Sequence, residues 1–179
     1  IYNDNKVKAV VGGNSTQVFT ESSEIQVDTW YNVSMVVNQS VDEMMLYIDG
    51  NLQSTVSISE IGTINNLYDL ILGGFYNGNN FDNPFLGNID NLSIWNIPLS
   101  GSDISNLVNC PPDLESNGLI SFWSFDNNTN PNLAVDEIAI NDGNIIGATF
   151  DNNTPPQCLQ NELLFIEDID NLSSGEYII

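Results

Sequence analysis

Asp90 is the carboxylate whose surroundings most demand an explanation. It lies in Asn88-Ile89-Asp90-Asn91-Leu92-Ser93-Ile94-Trp95, where strand alternation puts it on the same face as Leu92 and Ile94. An ionised carboxylate directed at an apolar face must be hydrogen-bonded, ion-paired or bound to a cation. Lys6 and Lys8 are the only basic residues of the chain, so backbone amides or a cation are the partners to expect. A second candidate is the polar loop Asn77-Gly78-Asn79-Asn80-Phe81-Asp82-Asn83, preceded by Phe75 and Tyr76. Aromatic rings among amides suit a sugar, whose CH groups stack on a ring while its hydroxyls bond to amides. Tyr76, Asn79, Asn80 and Phe81 are the ligand-binding candidates there, and a plain solvated turn is the alternative. Asp49 precedes Gly50, and turn geometry alone accounts for that pair.

Several chemistries are excluded. The chain has no histidine, which removes the usual zinc sites and any imidazole general base. No phosphate-binding Gly-Lys-Ser loop occurs. Cys110 and Cys158 are the only cysteines, each beside prolines; one disulfide closing the segment between them is expected, and two buried thiols are the alternative. The 24 acidic residues give a net charge of −22. Such a surface repels nucleic-acid phosphates and anionic lipid, and leaves divalent cations and neutral glycans as permitted partners. Solubility in salty water explains the same charge without any site. No apolar run approaches the roughly 20 residues that span a bilayer.

The elements that must position these residues are short strands. Val7–Val11, Gln17–Thr20, Trp30–Val37, Met44–Ile48, Leu52–Ser57, Leu70–Leu72, Asn88–Trp95, Ile120–Phe125 and Asn144–Phe150 are β-rich runs separated by Gly, Asn, Asp and Ser. Within Trp30–Val37, alternation groups Tyr31, Val33, Met35 and Val37 on one face. Asp49-Gly50 supplies the positive φ angles of a tight hairpin. Leu99–Leu107 reads as the one helix, with Ser100 as N-cap and Asp103 completing a capping box. Trp30, Trp95 and Trp123 fall within strands, where packing is the commoner role. Many short strands at this spacing predict an all-β, antiparallel sandwich.

Trp30-Tyr31-Asn32-Val33, Leu46-Tyr47-Ile48-Asp49-Gly50, Leu72-Gly73-Gly74, Phe85–Asn96 and Leu99-Ser100 with Ile104 follow one another in a pattern that resembles the second half of a laminin-G-like, concanavalin A-like jelly roll. Asn117–Asp126 and Asn141–Phe150 resemble the opening strands of the same domain type. The expected organisation is therefore 1–109 as the C-terminal half of one copy, 110–158 as a disulfide-bounded segment resembling the start of a copy, and 159–179 as the start of something incomplete. Either the chain is a slice across two tandem repeats, or the late strands complete the sandwich in permuted order.

The resemblance implies a non-catalytic, extracellular or cell-surface module that binds a glycan or a surface protein beside neighbouring domains. It also implies a calcium ion at a sheet edge, with Asp90 and Asp126 as metal ligands. The runner-up role is a structural spacer in an adhesin. Glycosidases share this fold, but the Glu-x-Asp-x-x-Glu pattern of the laminarinase-like group is absent, so no catalytic residue is expected.

Overall fold

The computed structural model describes residues 5–12, 16–62, 64, 69–76, 81–82, 84–108, 110–126, 129–138 and 141–156. The elements run β1 Lys6–Gly12, β2 Gln17–Glu24, β3 Val33–Asn38, β4 Glu43–Ile48, β5 Asn51–Ser57, β6 Phe75–Tyr76, β7 Phe81–Asp82, β8 Leu92–Trp95, α1 Gly101–Leu107, β9 Leu119–Trp123, β10 Leu133–Ala134 and β11 Gly143–Asn144. All strand pairs among them are antiparallel.

The centre is the β3-β4-β5 meander. Asp49 (φ 48°) and Gly50 (φ 72°) turn β4 into β5, the paired positive angles that match strand twist. Because side chains alternate across a strand, β4 buries both faces. Met44 and Leu46 point into a cluster with Ala9 and Val11 of β1 and with Ile58 and Ile61. Tyr47 points the other way, into a cluster with Val36 and with Ile104 of α1. The β1–β2 hairpin thus covers one side of the meander and α1 the other. Hydroxyl contact between Thr20 and Ser54 and a bond from Ser23 Oγ to Gln53 Oε1 (2.9 Å) fasten β2 to β5.

The helix forms where expected. Ser100 caps it, Asp103 N donating to Ser100 Oγ (3.2 Å) and Ser100 N donating to the Asp103 carboxylate (2.9 Å). Its fully buried Ile104 fixes the face it packs. Gly50 allows the close approach of this helix to the β4–β5 turn, since a Cβ there would stand 3.0 Å from Val108 Cγ2 and 3.2 Å from Ser105 Cα.

Two expectations need correction. Residues 70–72 are not a strand, and of 144–150 only Asn144 lies in one, paired through β10–β11. On β3, Val33 and Met35 share a face as alternation predicts and are 48% and 50% exposed, while Val36 on the opposite face is 6% exposed. The pattern was read with the correct period, but periodicity does not say which face meets a neighbour. In β3 the helix covers the Val36 side.

Residues 117–126 meet the earlier part of the chain through β9, which pairs with β8: Leu92 opposes Trp123, Ser93 opposes Phe122 and Ile94 opposes Ser121. Gly118 makes the bend before β9 possible. It has φ +86°, and a Cβ there would lie 2.5 Å from Ile97 Cγ1.

Behind β9 stands the buried Asp136, which is 2% exposed. Its Oδ1 accepts from Phe122 N (3.0 Å) and Ile138 N (3.1 Å), and its Oδ2 accepts from Asn141 N (3.2 Å). Burial pushes this carboxyl up, but the amides of Phe122, Ile138 and Asn141 and the Ser121 hydroxyl outweigh it and hold it below its ordinary value. Trp123 Nε1 donates to Asn141 O (3.2 Å), closing the same knot.

Candidate functional site

The β8–β9 ladder explains why Asp90 and Asp126 meet. In this antiparallel register, continuing the pairing past Leu92 places residue 90 across from residue 125, one step from Asp126. Both strands leave the ladder through residues in the left-handed region, Asn91 (φ 52°) and Phe125 (φ 59°). For a bulky aromatic such as Phe125 that conformation is a genuine outlier. Asn91 also takes Asp90 out of regular strand alternation, so the expected shared face with Leu92 and Ile94 ends at the strand boundary.

Asp90 is half-buried and Asp126 is exposed. Burial raises the Asp90 pKa; the Asn91 amide, donating to Asp90 Oδ1 (2.9 Å), partly offsets this, and the negative charge of Asp126 raises it further. The pair therefore consists of two like charges in one field. Both lysines stand elsewhere, on β1, where Lys6 Nζ and Lys8 Nζ lie 3.3 Å and 3.0 Å from Glu21. Two carboxylates of this kind fit the start of a hard-oxygen ligand set, with the remaining ligands to come from backbone or amide oxygens. Among the described residues, no group of three or more acidic, Cys or His side chains gathers to hold a metal.

The two aspartates line a broad cleft open to solvent. One wall is the segment entering β3, with Trp30 and the outward Val33 and Met35; the other is the segment entering β8, with Phe85 and Asn88. Asn153 spans the walls. Trp30 Nε1 donates to Asn153 Oδ1 (3.3 Å), and Asn88 Nδ2 donates to Asn153 O (3.4 Å).

Two of the residues predicted to bind a ligand, Tyr76 and Phe81, lie in the short β6–β7 pair. Tyr76 pairs with Phe81 and Phe75 with Asp82, and Phe85 N donates to Gly73 O (2.8 Å) at its base. Asn79 and Asn80 lie outside the described residues. Asp49 is occupied in its turn, its Oδ1 accepting from Asn32 N (2.8 Å). Cys110 is half-buried beside the cleft and carries no free thiol; Cys158 lies outside the described residues.

The tryptophans divide. Trp123 is buried, whereas Trp30 and Trp95 are only half-buried and line the cleft. Sequence reasoning missed the Trp30–Asn88–Asn153 cluster and Asp136. The cluster joins positions 65 and 123 residues apart in sequence, beyond the reach of any local pattern. For Asp136 a signal existed: a carboxylate among Leu133, Ala134, Val135 and Ile138 is as conspicuous as Asp90.

No curated protein matches the chain in sequence. Among solved structures, the fold is similar to that of a Bacteroides ovatus ATCC 8483 protein described as a putative carbohydrate binding protein, with a TM-score of 0.64 and 14% identity. The match covers 78% of this chain and 40% of that one, so the chain spans less than half of the larger protein's length. The family model described as the concanavalin A-like lectin/glucanases superfamily, a laminin G family, matches residues 1–105. With its antiparallel strands, the one short helix among the described residues and that match over more than half its length, the chain belongs to the laminin-G-like, concanavalin A-like superfamily.

Proposed function

We propose that this chain is a non-catalytic carbohydrate-binding module, acting outside the cell as part of a larger protein. The observation that carries the reading is the cleft, where aromatic rings and amide side chains converge beside two carboxylates. Such a mixture suits the alternating apolar faces and hydroxyl edges of a sugar. The structural likeness to a protein described as carbohydrate-binding supports it. The β6–β7 pair, with Tyr76 and Phe81, belongs to the proposed binding surface, together with Asn79 and Asn80.

Asp90 and Asp126 form part of a calcium site in this reading, with Ca²⁺ neutralising the pair. A disulfide from Cys110 to Cys158 is proposed to bound the late segment 110–158, with 1–109 as the family half before it and 159–179 as the start of a further unit.

Native gel electrophoresis through immobilised polysaccharides tests the glycan reading. The chain is expected to be retarded by at least one neutral polysaccharide (β-glucan, mannan or xylan) relative to a gel without it. Uniform mobility in all of them would reject glycan binding and leave a spacer in a surface adhesin. Calcium is tested separately by thermal unfolding. At a calcium concentration one hundred times Kd, a folded-state site stabilises by about 2.7 kcal/mol, a rise expected to disappear in Asp90→Ala. An unfolding midpoint that ignores calcium and chelator alike would remove the site.

A further inference from the structure

The cleft and the chain's charge together narrow both where a glycan binds and which kind. Resting on the carbohydrate-binding reading, we infer that Trp30, Asn88 and Asn153 form a subsite in the cleft that selects uncharged sugar units. Three observations carry this.

The first is the chemistry of the cluster. Trp30 is half-buried on the cleft wall, a large ring that offers a stacking surface at low entropic cost. Asn88 and Asn153 are both exposed. Asn88 spends an Nδ2 hydrogen on the Asn153 carbonyl, and Asn153 Oδ1 takes the indole N–H. Each amide retains its opposite polarity, an acceptor at Asn88 Oδ1 and donors at Asn153 Nδ2. A sugar hydroxyl both donates and accepts, so a neighbouring pair of hydroxyls satisfies such a set.

The second is position. Asn153 lies beyond the residues 1–105 that the family model matches, while Trp30 and Asn88 lie within them. The subsite therefore joins residues inside the matched portion to one that follows it. Asn153 is itself held by its backbone, Asn153 N donating to Asp151 Oδ1 (2.8 Å), which orders the residue before a ligand arrives.

The third is charge. Asp90 and Asp126 line the same cleft and Asp151 adjoins Asn153. The only two cations of the chain stand on β1 beside Glu21. A uronate or sulfate brought here meets carboxylates and no lysine or arginine, a repulsion that low salt leaves unscreened. An uncharged sugar pays no such cost.

The test uses the full chain and whichever neutral polysaccharide retards it, with alginate and chondroitin sulfate as anionic probes. Trp30→Ala is expected to weaken retardation about tenfold or more, as removal of a central aromatic anchor does. Asn88→Ala and Asn153→Ala are each expected to weaken it about threefold, the scale of one lost hydrogen bond. Both asparagines are exposed, so these variants serve where Trp30→Ala disturbs folding; the unfolding midpoint of each variant separates the two effects. Alginate and chondroitin sulfate are expected to leave mobility unchanged at low salt.

If a neutral glycan binds wild type and all three variants equally, the subsite is wrong while the glycan reading stands. The same holds if Phe81→Ala alone abolishes binding. If anionic glycans bind as tightly as neutral ones at low salt, the selection is wrong. If no glycan binds wild type at all, both the reading and the subsite fall.

Discussion

Asp136→Ala should be among the most destabilising single substitutions in this chain, costing about 4 kcal/mol by urea unfolding, because it orphans several buried amides that each cost roughly 1 to 3 kcal/mol to leave unpaired. Phe122, Ile138 and Asn141 all direct backbone N–H groups at this one carboxylate, and Phe122 belongs to β9. Losing it loosens the strand that pairs with β8. Asp136→Asn keeps the shape and one acceptor, so it should lose about half as much.

The acid dependence follows from the same geometry. The folded pKa of Asp136 lies below its ordinary value of 3.8. Its stabilisation is therefore fully present at pH values above 3.8 and is lost as pH falls through that value toward the depressed one. Asp90 works in the opposite sense. Its folded pKa is raised, so its charge disfavours folding at neutral pH, and that penalty is relieved as pH falls through the raised value. As pH falls below 3.8, wild type should lose stability more steeply than Asp136→Asn. Equal acid limbs, or a cost below about 1 kcal/mol for Asp136→Ala, would show that the knot is not closed in solution.

The second large effect is expected at Leu46. It has no exposed surface and packs with Met44, Ala9, Val11, Ile58 and Ile61. Leu46→Ala should cost about 3 kcal/mol, in the range for an enclosed Leu whose site cannot collapse. The comparison that makes the result informative is Met35→Ala on neighbouring β3. Met35 is half-exposed on the cleft, and its truncation should cost less than about 1 kcal/mol. Met35 opposes Leu46 on the same face of the sheet, so a reversed order would mean that this face is packed over β3 and open over β4.

These two cases also show what a sequence of this kind yields. Asp49-Gly50 and Ser100-x-x-Asp103 are local devices, and both form as read. Alternation gave β3 its period, yet burial depends on what lies above each face. In β4 both faces are covered, by β1 on one side and α1 on the other, which no period-two pattern announces. The pairing of Asp90 with Asp126 follows from a ladder between strands more than twenty residues apart in sequence, and the chain alone offered it only through a family resemblance. The Trp30–Asn88–Asn153 cluster had no such guide.

The most direct test of the account is a calorimetric titration of the full chain with soluble neutral oligosaccharides of the type that retards it. Binding without turnover predicts heats that saturate at a fixed stoichiometry, with the sugar recovered intact. No heat at any concentration would contradict the carbohydrate-binding claim. Heat that continues without saturating, with shortened oligosaccharides in the cell, would contradict the claim that the module binds without cutting.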